Sequence, residues 1–281
     1  MSAVQTVGIV SAGEMGSGVG RLLRESGVRV VTTLDGRGER TRERAASAGM
    51  EDVGPLAAVV READVLLSIL PPGRALELAT SVGRDAGPLY ADCNAISPAT
   101  SRAIGAVVGD RYVDAGIIGG PSAPRVYASG PHAAELTSLP LDVRSLGGEI
   151  GQASALKMCY AALTKGLSAL ITESMVAADA NGVIAALRVE LADSQRQFLA
   201  GADRLPGVVS KAYRWVAEMD EIAATFEEAG MTPRMLLGAA DVYRQVEAAR
   251  VEAEIPLDGT DALVRALRRA LPYEAPRRPA R

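Results

Sequence analysis

The chain is poor in the side chains that support histidine or cysteine chemistry. Its 281 residues include one histidine, two cysteines, two phenylalanines and one tryptophan. The single histidine, His132, excludes zinc sites and hydrolase motifs that require two. Two cysteines cannot form a disulfide framework, which favours a reducing compartment such as the cytoplasm. The sequence therefore predicts a cytoplasmic protein without a metal site, and an acid or base other than histidine.

The sequence also has no large excess of either charge and no long apolar segment. Thirty Lys and Arg side chains against 34 Asp and Glu give a formal net charge of −4. No basic surplus exists to neutralise the phosphates of a nucleic acid. The uncharged apolar stretches are shorter than the roughly 18–20 residues that cross a bilayer. The first six residues lack the basic segment of a signal peptide. We therefore expect no nucleic-acid partner, no membrane anchor and no secretion.

The first half of the chain alternates short β-branched runs with helical patterns. This alternation predicts βαβ units, a parallel sheet and an α/β fold. The predicted strands lie at 4–10, 28–34, 63–70, 89–92 and 112–114, with further edge strands at 126–128 and near Val143. We expect this α/β domain to comprise residues 1–148.

After Gly148 the pattern is helical throughout. Residues 152–180 contain no proline and predict one long helix. Further helices are predicted at 208–229, 234–253 and 261–271. On the first of these, Trp215, Met219, Ile222 and Phe226 form one apolar stripe that needs a covering surface. We therefore expect a helical domain over 149–273 that forms a homodimer, and a disordered tail over 274–281.

The first predicted strand leads directly into the glycine-rich segment SAGEMGSGVG, residues 11–20. Gly13 and Gly16 fit the second and third positions of G-x-G-x-x-G, whereas Ser11 replaces the first. In this fingerprint the N-terminal amides of the helix bind a pyrophosphate. A tight turn without a ligand is the alternative, but the strand before and the helix after favour a dinucleotide site. The predicted cofactor contacts here are Ser11, Ala12, Gly13, Glu14 and Met15.

The segment after the second strand carries conflicting signals about the cofactor. Asp35 stands where a carboxylate accepts hydrogen bonds from the adenosine ribose of NAD. Arg37 and Arg40 would instead bind the 2′-phosphate of NADP. A solvated helix start is a third interpretation, because the basic run continues to Arg44. Asp35 followed so closely by Arg37 favours NADP, with NAD as the alternative.

Several further segments resemble the β-hydroxyacid dehydrogenase family of the 6-phosphogluconate-dehydrogenase-like superfamily. They are VGIV at 7–10, GEMG at 13–16, LPP at 70–72, DCNAISP at 92–98, VDA at 113–115, GG at 119–120 and GEIG at 148–151, which leads to Lys157. The region around Trp215 resembles a subgroup whose short helical domain has no settled function. The resemblance implies a Rossmann domain with a doubly wound sheet, a long interdomain helix and an all-helical C-terminal domain that commonly forms a homodimer.

The resemblance also implies hydride transfer between a nicotinamide and the carbinol carbon of a small hydroxyacid. A lysine of the interdomain helix is the acid or base in this family, and Lys157 occupies its position. A lysine removed from water has a lowered pKa and can exchange a proton near neutral pH. A solvated lysine on the outer helix face is the alternative. The implied cofactor contacts are Leu70, Pro71, Pro72 and Asn94.

Departures from the family pattern concern the substrate. Tyr160 stands at the first of two family asparagines, and Ile118 replaces a serine before Gly119 and Gly120. Fewer donors face a substrate carboxylate, and an unpaired buried group costs about 1–3 kcal/mol. The predicted substrate-site residues are Ile118, Gly119, Gly120, Tyr160 and Thr164, the last two of which either orient a substrate oxygen or simply pack. An imine reductase on the same fold and a nucleotide-binding protein without turnover are the alternative functions.

Overall fold

The computed structural model describes residues 4–84, 87–253 and 259–269. The chain forms two compact units, Met1–Cys159 and Tyr160–Arg281. The units divide after Cys159, whereas the sequence places a domain limit after residue 148, and that functional limit stays a prediction. The predicted disordered tail, 274–281, lies outside the described residues.

The first unit is built on an eight-stranded sheet. Its strands are β1 (Thr6–Val10), β2 (Arg29–Thr32), β3 (Glu51–Asp52), β4 (Val65–Ser68), β5 (Leu89–Asp92), β6 (Tyr112–Ile118), β7 (Arg125–Ser129) and β8 (Asp142–Gly147). Their order is β3-β2-β1-β4-β5-β6-β7-β8. Strands β1 to β6 are mutually parallel, β7 is antiparallel to β6, and β8 is parallel to β7. The order 3-2-1-4-5-6 is that of the doubly wound Rossmann fold, which confirms the predicted fold class.

Helices cover both faces of this sheet. They are α1 (Glu14–Glu25), α2 (Glu39–Ser47), α3 (Leu56–Glu62), α4 (Ala75–Val82), α5 (Pro98–Val108), α6 (Ala133–Leu136) and α7 (Gln152–Ala161), with a 3₁₀ turn at Pro72–Arg74. Successive strand residues point to opposite faces. Ile9 therefore belongs to one apolar cluster and Val10 to the other. This double burial explains why β4 is apolar and buried along its whole length.

Two strands differ from the sequence-based expectation. Strand β6 continues to Ile118, beyond the predicted 112–114, and all of its residues are buried. Strand β3 was not predicted, because its two residues, Glu51 and Asp52, are exposed and carry no apolar pattern. The two predicted edge strands form β7 and β8, and β8 is mostly exposed.

The second unit is helical in its described part. A π-helical turn at Ala162–Gly166 precedes α8 (Leu167–Ala180), α9 (Ile184–Ser194), α10 (Arg196–Asp203), α11 (Pro206–Val209), α12 (Ala212–Glu228), α13 (Arg234–Ala253) and α14 (Thr260–Arg269). Residues 152–180 are thus helical throughout, with a π turn that the sequence did not indicate. Helix α9 was missed because it buries no residue and has no clear apolar face. The helix predicted at 208–229 is instead two, α11 and α12.

The apolar stripe of α12 is covered largely within the chain itself. Met219 and Ile222 are completely buried, and the Trp215 ring contacts the Tyr243 ring edge-on at 5.2 Å. The stripe therefore does not by itself require a partner subunit, and the homodimer stays a prediction. Within residues 4–84, 87–253 and 259–269, no helix is both long and apolar enough to cross a membrane.

Candidate functional site

The carboxyl ends of the central strands lie side by side in the first unit. Register pairs Val10 with Ser68, Ser68 with Asp92, and Asp92 with Asp114. The segments that follow β1, β4 and β5 therefore emerge at one edge of the sheet. Strand order reverses between β1 and β4, and ligands of doubly wound sheets bind at such a switch point. The structure thus brings together three predicted cofactor segments, which begin at Ser11, Leu70 and Asn94.

The turn between β1 and α1 leaves the first turn of the helix without a side-chain cap from the described residues. Gly13 caps α1, and no side chain of the described residues caps this helix start. A Cβ added at Gly13 would meet nothing within 4 Å, whereas one at Gly16 would lie 2.0 Å from the Ser11 carbonyl oxygen. Gly16 is therefore needed by the turn itself. Gly13 instead leaves open space in front of the first-turn amides, which have no intrahelical acceptor.

The turn after β2 places two opposite charges near each other in sequence. Asp35 is exposed and Arg37 is partly exposed. Gly36 adopts a φ of +67°, which closes the turn, and the Arg37 N–H donates to the Leu34 carbonyl at 3.1 Å. Arg42 braces this turn through the carbonyls of Leu34 and Arg37. The structure therefore presents both the NAD-type carboxylate and the NADP-type guanidinium.

The Asn94 side chain is buried and hydrogen-bonded within the protein. Its Oδ1 accepts the Leu70 N–H at 2.5 Å, and its Nδ2 donates to Ser68 Oγ at 2.7 Å and to Asp92 Oδ2 at 3.0 Å. The residue is 2% exposed. Asn94 thus holds the start of the Leu70–Pro72 turn from beneath, and its direct contact with a cofactor stays a prediction.

Asp92 is a buried carboxyl group that sequence reasoning did not assign. Burial raises its pKa from 3.8 to about 7, the hydrogen bonds from Asn94 lower it, and the charge of Asp114 raises it further. Lys157 acts in the opposite direction. Burial likewise raises the pKa of the Cys93 thiol. The carboxyl end of β5 therefore carries two such groups: the Asp92 carboxyl is partly protonated near neutral pH, and the Cys93 thiol is protonated.

Lys157 reaches this edge from helix α7. Its side chain is partly buried, and its Nζ lies 3.5 Å from the carbonyl oxygen of Cys93, the residue that follows β5. The Lys157 side chain therefore extends toward the carboxyl end of β5, and its role as acid or base stays a prediction. An ammonium group at this point can donate a proton to a group bound over the sheet edge.

The start of α7 is fixed by a buried network that the sequence did not reveal. Asp114 accepts hydrogen bonds from Ser129 Oγ, the Gly151 N–H, and both the N–H and Oγ of Ser154. Ser129 Oγ also accepts the Ala153 N–H at 3.0 Å. These residues lie far apart in sequence and form no compact motif. The available signals were the VDA match at 113–115 and the GEIG match at 148–151, which contains Gly151.

The loop after β6 lies against the start of α1. Ile118 is 6% exposed, whereas Gly119 and Gly120 are exposed, and Gly119 adopts a φ of +107°. A Cβ at Gly18 of α1 would lie 2.5 Å from Pro121 Cβ. The predicted substrate loop is therefore close to the glycine-rich turn, although the side chain of Ile118 itself is largely covered.

Tyr160 and Thr164 belong to the second unit. Tyr160 is 47% exposed, and Thr164 Oγ1 donates to the backbone carbonyls of Tyr160 and Ala161, at 3.3 Å each. The Thr164 hydroxyl is therefore engaged by its own helix. The predicted substrate contacts of both residues stay predictions.

Two family models match separate parts of the chain. Residues 3–81 match the NADPH-binding domain of acetohydroxy acid isomeroreductase, and residues 178–246 match a domain of unknown function, DUF1932. The first match covers the glycine-rich turn and Asp35. The second covers much of the helical unit.

Two relatives match most of the length of this chain. An uncharacterised 28.5 kDa protein in the 7S RNA 5′ region of Methanothermus fervidus is 26% identical over 250 residues, 86% of this chain and 98% of the relative. The 3-hydroxyisobutyrate dehydrogenase of Mycobacterium tuberculosis shares the fold, with 19% identity, a TM-score of 0.69 and coverage of 94% and 99%.

A conserved protein of unknown function, described as structurally similar to 3-hydroxyacid dehydrogenases, is 31% identical to this chain. The similarity covers 88% of this chain and 98% of that protein, with a TM-score of 0.65. The protein therefore belongs to the family of β-hydroxyacid dehydrogenase-like proteins with a Rossmann domain and a helical C-terminal domain.

Proposed function

We propose that the protein is an NADP-dependent oxidoreductase that interconverts a small alcohol and its carbonyl compound, with Lys157 as acid or base. The observation that supports this most directly is the position of the Lys157 ammonium at Cys93, beyond the carboxyl end of β5. The glycine-rich turn follows β1 at the same edge of the same sheet. The proposed proton donor and the proposed dinucleotide site would thus lie at the same edge of one sheet.

The residues at the β1–α1 turn fit a dinucleotide. The open space at Gly13 and the uncapped start of α1 are suited to a pyrophosphate. Ser11, Ala12, Gly13, Glu14 and Met15 would hold it, mainly through their backbone. Leu70, Pro71, Pro72 and Asn94 would line the nicotinamide end, and Asp35 and Arg37 the adenosine end. Arg37 favours NADP, and NAD is the alternative.

In this proposal Lys157 donates or accepts the proton, and a nicotinamide held at the β1–α1 turn would supply or accept the hydride. During reduction the ammonium donates its proton to the substrate oxygen as the carbonyl becomes an alcohol. During oxidation the neutral amine removes the hydroxyl proton. Before transfer, the ammonium hydrogen-bonds the carbonyl oxygen and favours the charge that develops there.

The substrate is proposed to be a small alcohol or carbonyl compound of hydroxyacid-like size. Strand β6 presents Gly116 beside the Lys157 stem, and Ile118 two residues further along the same face. Neither side chain offers a hydrogen-bond donor. Gly119, Gly120, Tyr160 and Thr164 are proposed to complete the site. This environment favours substrates with little charge next to the reacting carbon.

Lys157→Met tests the proposal. We expect kcat to fall by about 10²–10⁴-fold, the usual contribution of a positioned acid or base, while the dissociation constant for NADPH stays within about twofold. Lys211→Met, which changes an exposed lysine of the second unit, is the matched control. The assay follows nicotinamide absorbance with 3-hydroxyacids, the corresponding carbonyl compounds and cyclic imines.

Three outcomes would contradict the proposal. Full activity of Lys157→Met removes the assigned acid or base. Turnover of imines alone identifies an imine reductase. Tight NADPH binding without turnover of any compound identifies a nucleotide-binding protein.

We also propose a homodimer. Leu163, Leu167 and Leu170 of the second unit are 75%, 40% and 55% exposed, and their spacing of four and three residues places them on one helix face. Exposed apolar side chains of this size favour a covering surface. Light scattering at micromolar concentration tests the proposal, and a monomer mass contradicts it.

A further inference from the structure

Strand β6 contacts helix α7 through two residues on the same face. Asp114 and Gly116 are separated by one residue, so both point to one side of the sheet. Asp114 lies against the start of α7, and Gly116 lies against Lys157. The strand therefore contacts the helix at two points, of which the second is the candidate catalytic side chain.

At the first point, Asp114 fixes the end of the helix. Its Oδ2 accepts the Gly151 N–H at 2.9 Å and the Ser154 N–H at 3.1 Å, and its Oδ1 accepts Ser154 Oγ at 2.6 Å. Ser129 Oγ donates to Asp114 Oδ2 and accepts the Ala153 N–H. Asp114, Ser129 and Ser154 are completely buried. A helix start held by so many buried hydrogen bonds cannot shift along its axis without breaking several of them.

At the second point, Gly116 makes room for the lysine stem. A Cβ added there would lie 3.1 Å from Lys157 Cβ, 3.3 Å from Lys157 Cδ and 3.1 Å from the Ala153 carbonyl oxygen. These separations are shorter than comfortable carbon–carbon contact, which begins at about 3.5 Å. The missing side chain therefore lets the stem of Lys157 lie directly on β6 and extend to Cys93, the residue that follows β5.

We propose that Asp114 and Gly116 are positioning residues for Lys157. Asp114 and its partner Ser129 set where α7 begins, and Gly116 sets the course of the lysine stem, so that the ammonium group arrives at the Cys93 carbonyl. The inference rests on the proposed function, because it assigns these residues to the delivery of the candidate acid or base.

The test is a double-mutant cycle between Gly116→Ala and Lys157→Ala. Asp114 still holds the helix start in Gly116→Ala, so the added methyl group must displace the lysine stem or move α7 at the Ala153 carbonyl, and either change shifts the ammonium group. We expect kcat to fall about 10–100-fold, because displacement of a catalytic group by about 1 Å can have this effect. The NADPH dissociation constant should not change. In the Lys157→Ala background, Gly116→Ala should cause no further loss, since the group that it displaces is gone.

The controls separate positioning from a general structural effect. Gly238→Ala, where an added Cβ meets nothing within 4 Å, should leave kcat unchanged. The pH–rate profile of Gly116→Ala should show a shifted apparent pKa, because the ammonium leaves its present neighbours. If Gly116→Ala does not fold, Ser129→Ala enters the same cycle, with an expected fall of about tenfold from a looser helix start.

The outcomes distinguish this inference from the proposed function. A fully active Lys157→Ala refutes the proposed function. An inactive Lys157→Ala together with a normal Gly116→Ala, or with losses that multiply in the double mutant, overturns the positioning role and leaves the proposed function standing.

Discussion

Two helices of the first unit begin with opposite arrangements of their N-terminal amides. At α1, Gly13 is the cap, no side chain of the described residues accepts from the first turn, and the space in front is open. At α7, Asp114 and Ser129 accept the amides of the first turn from buried positions. Both ends carry the positive pole of a helix dipole. The open end is suited to an external anion, and the closed end is suited to holding a helix in place.

The difference shows what each helix contributes to the proposed reaction. An open N-terminus leaves donors for a ligand phosphate and gains little stability by itself. A closed N-terminus binds no ligand but gives a fixed reference point for the side chains further along the helix. Lys157 lies about one turn beyond Ser154, so its position depends on that closed end. The first two predictions below each reverse one side of this comparison.

The largest expected effect comes from closing the open end with Gly13→Asp. Gly13 has extended backbone angles, φ −69° and ψ −170°, which suit a capping aspartate. The new carboxylate would cap α1 and stabilise the fold by a few tenths of a kcal/mol. It would also occupy and repel the site of the pyrophosphate, so we expect NADPH affinity to fall by at least about 100-fold.

Fluorescence titration with NADPH and thermal denaturation measure the two effects of Gly13→Asp separately. Gly13→Ala is the control for size without charge, and should lose less affinity. Unchanged affinity in Gly13→Asp would show that the cofactor does not use this helix end. A large loss of stability would show that the open space serves the fold instead.

An effect of similar size comes from opening the closed end with Asp114→Ala. The N–H groups of Gly151 and Ser154 would then lack their buried acceptor, and the hydroxyl of Ser129 would lose the acceptor of its own proton. Leaving such groups unpaired costs about 1–3 kcal/mol each, so we expect a total loss of about 3 kcal/mol or more. Urea denaturation measures it, with the exposed Asp35→Ala as control. A loss below about 1 kcal/mol would mean that water replaces the carboxylate.

The open end was predictable from sequence, and the closed end was not. Gly13 and Gly16 lie in one short segment whose chemistry depends on the absence of side chains, and glycine is visible in a sequence. The closed end joins Asp114, Ser129 and Ser154, which come from β6, β7 and α7. Their residue types are ordinary, and only the register of β6 with β7, which pairs Asp114 with Ser129, brings the first two together.

Contacts between residues distant in sequence also explain what the structure adds to the predictions for Asn94 and α12. Asn94 was predicted to contact the cofactor, and in the structure its amide also hydrogen-bonds Ser68 and Asp92, which lie side by side in the sheet. The apolar stripe on α12 was predicted to need a partner, but Met219 and Ile222 are already buried by the chain. In both cases, residues distant in sequence make contacts that the local sequence pattern does not show.

A smaller effect concerns pH, through the buried Asp92. Its pKa is raised to about 7 in the folded chain, mainly by burial, from 3.8. Between these values the folded chain keeps a proton that the unfolded chain has released, so stability falls as pH rises from about 4 to about 7. We expect a loss on the order of 2–3 kcal/mol across this range. It should level off above pH 8.

Urea denaturation at several pH values measures this dependence, and Asp92→Asn should flatten it. The slope with pH is compared rather than the absolute stability, because the substitution also changes a hydrogen bond to Asn94. Asp35→Asn, at an exposed position, should leave the slope as it is. An equal slope in the wild type and Asp92→Asn would show that Asp92 is ionised throughout.

The smallest predicted effect concerns the far end of the dinucleotide, where the open helix end has no influence. Asp35 favours the ribose hydroxyls of NAD, and Arg37 favours the 2′-phosphate of NADP. Because both are at least partly exposed, water screens their charges and each contributes modestly. We expect Arg37→Ala to lower the preference for NADPH over NADH about tenfold, equal to about 1.4 kcal/mol, and Asp35→Ala to raise it less. The ratio of kcat/KM for the two cofactors measures both changes. A preference that moves in the opposite direction for either variant would remove the role assigned to that side chain, and a wild-type ratio that favours NADH would assign NAD as the cofactor.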